Sequence, residues 1–237
     1  MIQATEAPGK GNDVTRLDIA IAGGGIGGLT AAIALQHLGH TVTVFEQAPE
    51  FARVGADINL TPNAVVALDR LGLREVLEAT AARTTHRNSR AWDTGEMLSS
   101  LTMSDEAERR FGAPQLTIHR ADLLRALEDA VTPGTVRLGA RVVGVEQADG
   151  EARPRFVLSD GSTHAADVLV AADGIHSVVR TWMLGEESPR FTGVVAFRAV
   201  FPAERIADHP ALGTFTKWWG PTPDSEIVTF PLTRGEE

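Results

Sequence analysis

Apolar positions change their period twice near the start of the chain. LDIAIA, Leu17 to Ala22, has the almost continuous apolar character of a strand buried on both faces of a parallel sheet. Beyond it Ile26, Leu29, Ile33 and Leu38 recur at helical spacing, and Gly39 stands where a helix end favours a positive φ. TVTVF, Thr41 to Phe45, restores strand character and ends at Glu46. The pattern predicts a strand–helix–strand unit of about thirty residues. Ile19 to Leu35 is uncharged, yet it is short for a membrane span, broken by glycines and followed at once by Gln36 and His37. It reads as core.

The later chain alternates the same two signals. Val54 to Leu73 predicts an extended, glycine-bearing segment, a turn at Pro62-Asn63 and an amphipathic helix carrying Val65, Val66, Leu68 and Leu71. In LTIHRADLLRALEDAV a strand ending at Ile118 runs into a helix with Leu123, Leu124 and Leu127 inward, leaving Arg120 at the junction. Asp149-Gly150 and Asp160-Gly161 separate alternating runs and read as hairpin turns. Asp173-Gly174 differs, because it follows the buried strand DVLVAA and precedes a helix with Ser177 and Arg180 at its start. Thr85 to Met103 predicts a hairpin turning at Asp93-Thr94-Gly95. From Gly193 onward VVAFRAVF, GTFTKWW and EIVTFPL are strand-like with period two.

Composition narrows the function classes. At 237 residues, 43% hydrophobic and 22% charged, the chain suits one large or two small globular domains. A formal net charge of −9 argues against a nucleic-acid binder, although helix termini and single arginines can still hold small anions. The absence of cysteine excludes disulfides, thiolate catalysis and Cys-based zinc or iron–sulfur sites, and no metal site is predicted. MIQATEAPGKGNDVTR lacks the apolar core of a secretory signal, so residues 1–15 read as a polar disordered leader and the expected location is cytoplasmic.

Candidate chemistry centres on AGGGIGGLTAA, residues 22–32. Gly23 permits the turn out of the strand, Gly25 lets backbone approach a pyrophosphate, and Gly28 allows close helix–strand packing. The free N–H groups of the helix beginning near Ile26 favour an anion. Glu46, at the tip of the second strand, can accept hydrogen bonds from a ribose diol, and an acid there disfavours the 2′-phosphate of NADP. FAD and NAD share this fingerprint.

The order GGGIGG, FEQ, RVGADINLTPNA, IHRADLLRAL and VLVAADGIHSVVR resembles the class A FAD-dependent aromatic monooxygenases, in particular the salicylate and 6-hydroxynicotinate hydroxylase branch. The resemblance implies an α/β fold: a Rossmann-like (GxGxxG) FAD-binding domain over 16–84 and 104–187, with a second mixed β-sheet substrate domain drawn from 85–103 and 188–237. It implies FAD as cofactor and NADH or NADPH as cosubstrate, with oxygen added to the reduced ring as a hydroperoxide and transferred to a small aromatic substrate. It places Arg120 on the pyrophosphate, Arg53 near the flavin, and Asp173 and Gly174 in the cofactor region, while Arg180 supports its loop or the pyridine nucleotide. Salt bridges from Arg120 to Asp122 or Glu128, and a solvated Arg53, are the plainer alternatives. No catalytic base is assigned: His176 tempts, but a loop histidine with a local hydrogen bond is the simpler reading.

Phe215, Trp218 and Trp219 are candidates for an aromatic pocket, with plain packing as the alternative. Where the hydroxynicotinate hydroxylases carry His and Tyr, this chain has Asn59, Ser225 and Thr229, and it has no tyrosine. That departure favours a phenolic or carboxylated aromatic over a pyridine. The family's later Gly-Asp and Ala-His-Pro motif does not occur before Glu237, so the expectation is an N-terminal portion of an enzyme, incomplete at the C-terminus. A dehydrogenase or oxidase without oxygenation, and an inactive cofactor-binding module, are the other classes carried. Oligomeric state stays open, with a homodimer among the arrangements.

Overall fold

A computed structural model describes residues 15–52, 55, 57–147, 153–209, 211–222 and 224–236. All of the expected leader but Thr15, the candidate Arg53, and the turn at Asp149-Gly150 lie outside the described residues. The chain opens with β1 (Asp18–Ala22), α1 (Ile26–His37) and β2 (Thr41–Phe45), followed by β3 (Asp57–Leu60), α2 (Pro62–Arg70), α3 (Arg74–Thr80) and β4 (Ala82–Arg83). Next come β5 (His86–Ala91), β6 (Met97–Thr102), α4 (Ser104–Phe111), β7 (Leu116–His119), α5 (Arg120–Ala130) and β8 (Val136–Arg137). The last elements are β9 (Val142–Glu146), β10 (Arg155–Leu158), β11 (Thr163–Ala165), β12 (Val168–Ala171), α6 (Val178–Leu184), β13 (Phe215–Trp219) and β14 (Glu226–Thr229).

A parallel sheet in the order β12-β1-β2-β8 is the frame. Because side chains alternate along a strand, the unbroken apolar run of β1 feeds two cores. Ile19 and Ile21 face the helical side, where they meet Leu29 and Ile33 of α1 and Leu123 and Leu127 of α5. Ala20 and Ala22 face the other way, into a core with Phe45, Val145 and Phe156. That second core is roofed by the antiparallel sheet β11-β10-β9, with Phe45 and Phe156 edge to face at 6.0 Å. At the far end of β1, Arg153 spans Asp18 and Asp167 at 2.7 and 3.0 Å, tying β1 to the residue that precedes β12.

Two further sheets complete the architecture: β3-β7-β4, antiparallel, and β14-β13-β5-β6, in which β13 runs parallel to β5. The hairpin at Asp93-Thr94-Gly95 forms between β5 and β6, and that at Asp160-Gly161 between β10 and β11. Two expectations need correction. Pro62 opens α2 as its first residue instead of forming a turn, since its missing N–H costs nothing there and its φ is already helical. VVAFRAVF joins no ladder: 194–201 has no regular secondary structure and is exposed, with Phe197 95% accessible, because an alternating pattern does not make a strand without a partner to pair with.

Candidate functional site

The β1–α1 loop depends on three glycines for three different reasons. Gly23 has φ +98°, and a Cβ there would lie 2.3 Å from the Ala172 carbonyl oxygen just past β12. Its N–H donates to the Phe45 carbonyl at 2.8 Å, while the Ala172 N–H donates to Ala22 at 2.8 Å. The carboxyl ends of β12, β1 and β2 are thereby knitted together. Gly28 brings α1 against this turn, because a Cβ on it would sit 1.9 Å from the Gly23 oxygen. Gly25 caps α1 in extended conformation with no side-chain hydrogen bond, and a Cβ on it would meet nothing within 4 Å. Packing does not require glycine at that position; the open space before it does admit a ligand. Ile26 begins the helix with its side chain against the helical core, so its backbone N–H is its contribution to the mouth.

Glu46 is held at the same mouth. Its Oε2 accepts from the Gly24 N–H at 2.7 Å and its Oε1 from the Ala48 N–H at 2.8 Å. Gly24 is shaped to this contact, since a Cβ there would approach the Glu46 Cβ to 2.9 Å. The sequence reading gives Gly24 no role; the available signal is an acid at the tip of the adjacent strand. Each carboxylate oxygen retains an unused lone pair, so the acid can still receive a diol.

A second strand-to-helix loop meets the first. The position of a Gly23 Cβ is 3.0 Å from the Asp173 Cα, and β12 and β2 flank β1 on opposite sides, which makes this gap the switch point of the sheet. The Asp173 carboxylate accepts from the Ser177 hydroxyl at 2.5 Å and from the Val178 and Val179 N–H groups at 2.8 and 3.3 Å. Ser177 in turn accepts from the Arg180 N–H at 2.9 Å, and Arg180 Nη2 donates to the Ile175 carbonyl at 3.0 Å. Arg180 therefore supports its own loop. Gly174, at φ +79°, has open space where a Cβ would stand, and His176 is exposed.

Arg120 is the first residue of α5, and the buried His119 caps that helix by accepting the Ala121 N–H on Nδ1 at 3.1 Å. A Cβ on Gly55, itself at φ +107°, would lie 3.2 Å from the Arg120 Cδ, so the arginine stem crosses this glycine. Among the described residues Arg120 has no ion pair with Asp122 or Glu128. Asp57 of β3 pairs with Arg198 at 2.5 Å and ties the exposed 194–201 segment to β3. Neither the His119 cap nor this ion pair was foreseen.

The aromatic candidates divide. Phe215 and Trp219 share one face of β13 and Trp218 takes the other, so the three do not line one pocket. Phe215 stacks on Phe230 at 5.0 Å under Arg87, whereas Trp218 packs with Arg90 and His209. Asn59, Ser225 and Thr229 sit in β3, in the β13–β14 turn and in β14. Among the described residues no group of His, Asp and Glu could hold a metal, and no helix is long and apolar enough to cross a membrane.

Glycine-bearing loops meeting at the switch point of a parallel sheet, with an acid on the neighbouring strand, define a dinucleotide-binding α/β protein. Comparison with known families makes this particular: residues 16–232 match the family described as FAD binding domain, and the chain belongs to it. It is 35% identical over 216 residues to 6-hydroxynicotinate 3-monooxygenase of Pseudomonas fluorescens, covering 91% of this chain and 55% of that protein. It is 36% identical over 224 residues to 3-hydroxybenzoate 6-hydroxylase of Polaromonas naphthalenivorans, covering 93% and 55%. Among solved structures, a salicylate hydroxylase substrate complex superposes with TM-score 0.74 at 29% identity, over 94% of this chain and 54% of that one. Klebsiella pneumoniae HpxO complexed with FAD and uric acid gives 0.73 at 27%, over 86% and 51%. The chain spans about half the length of these relatives.

Proposed function

We propose that the chain binds FAD and serves an NAD(P)H-dependent monooxygenase that hydroxylates a small phenolic or carboxylated aromatic compound. The carrying observation is the contact between the two glycine loops at Gly23 and Ala172, beside a carboxylate already fixed by backbone. The site fits the cofactor because the space before Gly25 and Gly174 is open and the first-turn N–H groups of α1 lack a side-chain cap. In this reading Gly25 and Ile26 receive the pyrophosphate on a loop that Gly23 turns and Gly28 seats against the sheet, with Arg120 supplying a guanidinium and Arg53 assigned a role near the flavin. Glu46 orients the ribose, while Asp173 and Gly174 form the opposite wall. Residues 16–84 and 104–187 make the cofactor part, and 85–103 with 188–237 the substrate-side sheet. When bound, the flavin supplies the reduction of oxygen and its transfer to the ring. The protein's part is to bind, orient and exclude water, in a cytoplasmic setting.

The test is the visible spectrum and flavin-to-protein ratio of the purified chain, followed by oxygen-coupled NADH or NADPH oxidation with labelled oxygen. Stoichiometric flavin with label in the product supports the reading. Flavin with turnover but no label points to a dehydrogenase or oxidase, and colourless protein refutes the cofactor assignment. A second reading is favoured by the exposed apolar residues Phe191, Val194, Val195 and Phe197: a cofactor-binding module that holds flavin but turns over nothing unaided.

A further inference from the structure

A cavity of about 350 Å³ opens between α2, α3 and the start of β7, away from the loops described above. Leu116 of its wall begins β7 and Arg120 follows that strand's last residue, about 13 Å further on at 3.3 Å per residue. Buried Val65, Leu77 and Leu116 provide an apolar floor. Three guanidiniums stand around it, and two of them are already matched. Arg74 pairs with Asp69 and faces Glu78 at 3.7 Å, while Arg83 pairs with Asp105 and Glu108 at 2.9 and 2.8 Å. Arg234 has no ion-pair partner among the described residues.

The backbone holds Arg234 at this place under strain. Thr233 and Arg234 have φ +43° and +59°, consecutive left-handed conformations that non-glycine residues keep only where the surroundings over-determine them. The preceding residues supply that determination. Thr117 of β7 donates to the Pro231 carbonyl at 2.6 Å, and Leu232 is buried.

We propose that this cavity is a second small-molecule site, taking an aromatic monocarboxylate with its ring on the apolar floor and its carboxylate on Arg234. The volume is that of a pocket for one small ligand. The four carboxylates around Arg74 and Arg83 outnumber those two guanidiniums, so Arg234 can match one negative charge on a ligand while a second meets net repulsion. The site is independent of the flavin reading.

The probe is 4-fluorobenzoate, followed by fluorine NMR on the whole 237-residue chain. The expected result is saturable binding, weakened at least about fivefold in Arg234→Gln by loss of a charge-assisted hydrogen bond. The neutral 4-fluorobenzamide and the dianionic fluorophthalate bind more weakly, and Gly25→Val leaves binding unchanged. No saturation up to about 10 mM, equal binding of the amide, or binding indifferent to Arg234→Gln overturns the proposal. Arg234 is exposed, so its replacement leaves the fold intact, and an unchanged unfolding midpoint verifies this.

Discussion

Gly27 and Gly28 are neighbours in one helix, and alanine should act on them with opposite sign. Propensity alone favours alanine over glycine by up to about 1 kcal/mol in a helix interior, and somewhat less near an end. At Gly27 the new methyl meets nothing within 4 Å, so Gly27→Ala is expected to stabilise by about 0.5 kcal/mol. At Gly28 the methyl lands 1.9 Å from the Gly23 carbonyl oxygen, and that contact must open beyond 3.0 Å. The Gly23 oxygen cannot retreat easily, because its residue is pinned between Phe45 and Ala172. The helix must lift instead, loosening Leu29, Ala32 and Ile33 from the core beneath. Overpacking of this kind costs about 1–3 kcal/mol. After the propensity gain, Gly28→Ala should destabilise by about 1–2 kcal/mol, or about 2–8 °C in Tm for a chain of this size. Urea unfolding without added flavin, followed by tryptophan fluorescence, measures both variants, with an unchanged slope as the condition for comparing midpoints. A Gly28→Ala protein as stable as the parent would show that the helix does not rest on the loop as described.

Three further outcomes follow from the same geometry. Gly25→Val fills the open space before α1 and should abolish flavin binding with little change in the unfolding midpoint; normal flavin content in that variant sinks the pyrophosphate assignment. Glu46→Ala strands the Gly24 and Ala48 N–H groups and should cost about 1–2 kcal/mol even without ligand, so an unaltered urea midpoint would contradict the loop-organising role. Burial, then the nearby Arg137, depresses the His164 pKa below its ordinary value of 6.5. The unfolded chain thus binds the proton more readily, and the His164 contribution is present above pH about 6.5 and lost as pH falls below it. His164→Gln should flatten that limb of the stability profile, and an identical acid limb in both proteins would refute the sign.

Much of this was legible because local periodicity carried it. β1, α1 and β2 fall within a residue of their expected bounds, since an unbroken apolar run can satisfy only a strand buried on both faces. The turns at Asp93-Thr94-Gly95 and Asp160-Gly161 were signalled by residues suited to tight reversals. The misses have other causes. Period two already placed Trp218 opposite Phe215, so that signal was present and unused. His119 belongs to no usual capping class, and its role needed the structure. The Arg198–Asp57 pair and the Gly23–Ala172 contact join distant stretches of chain, which spacing cannot report. The 194–201 segment shows the converse, an apolar run that reads as a strand but enters no ladder.

The distribution of hydrogen-bond donors decides which loop receives negative charge. At α6 the Val178, Val179 and Arg180 N–H groups are taken by Asp173 and Ser177, so that helix start is already filled by an acid of its own. Beside Gly24 the N–H is likewise taken, by Glu46. The first turn of α1 has no acid and no side-chain cap, and its donors stay available. Under the proposed function, a pyrophosphate would therefore go to the first turn of α1 and be repelled from the Asp173 loop, although the two loops touch. In that proposal the touching loop would face an uncharged part of the ligand, with open space where a Cβ on Gly174 would stand. The carboxylates of Glu46 and Asp173, which order the two loops through backbone N–H groups, would on the proposed function also set the ligand's orientation.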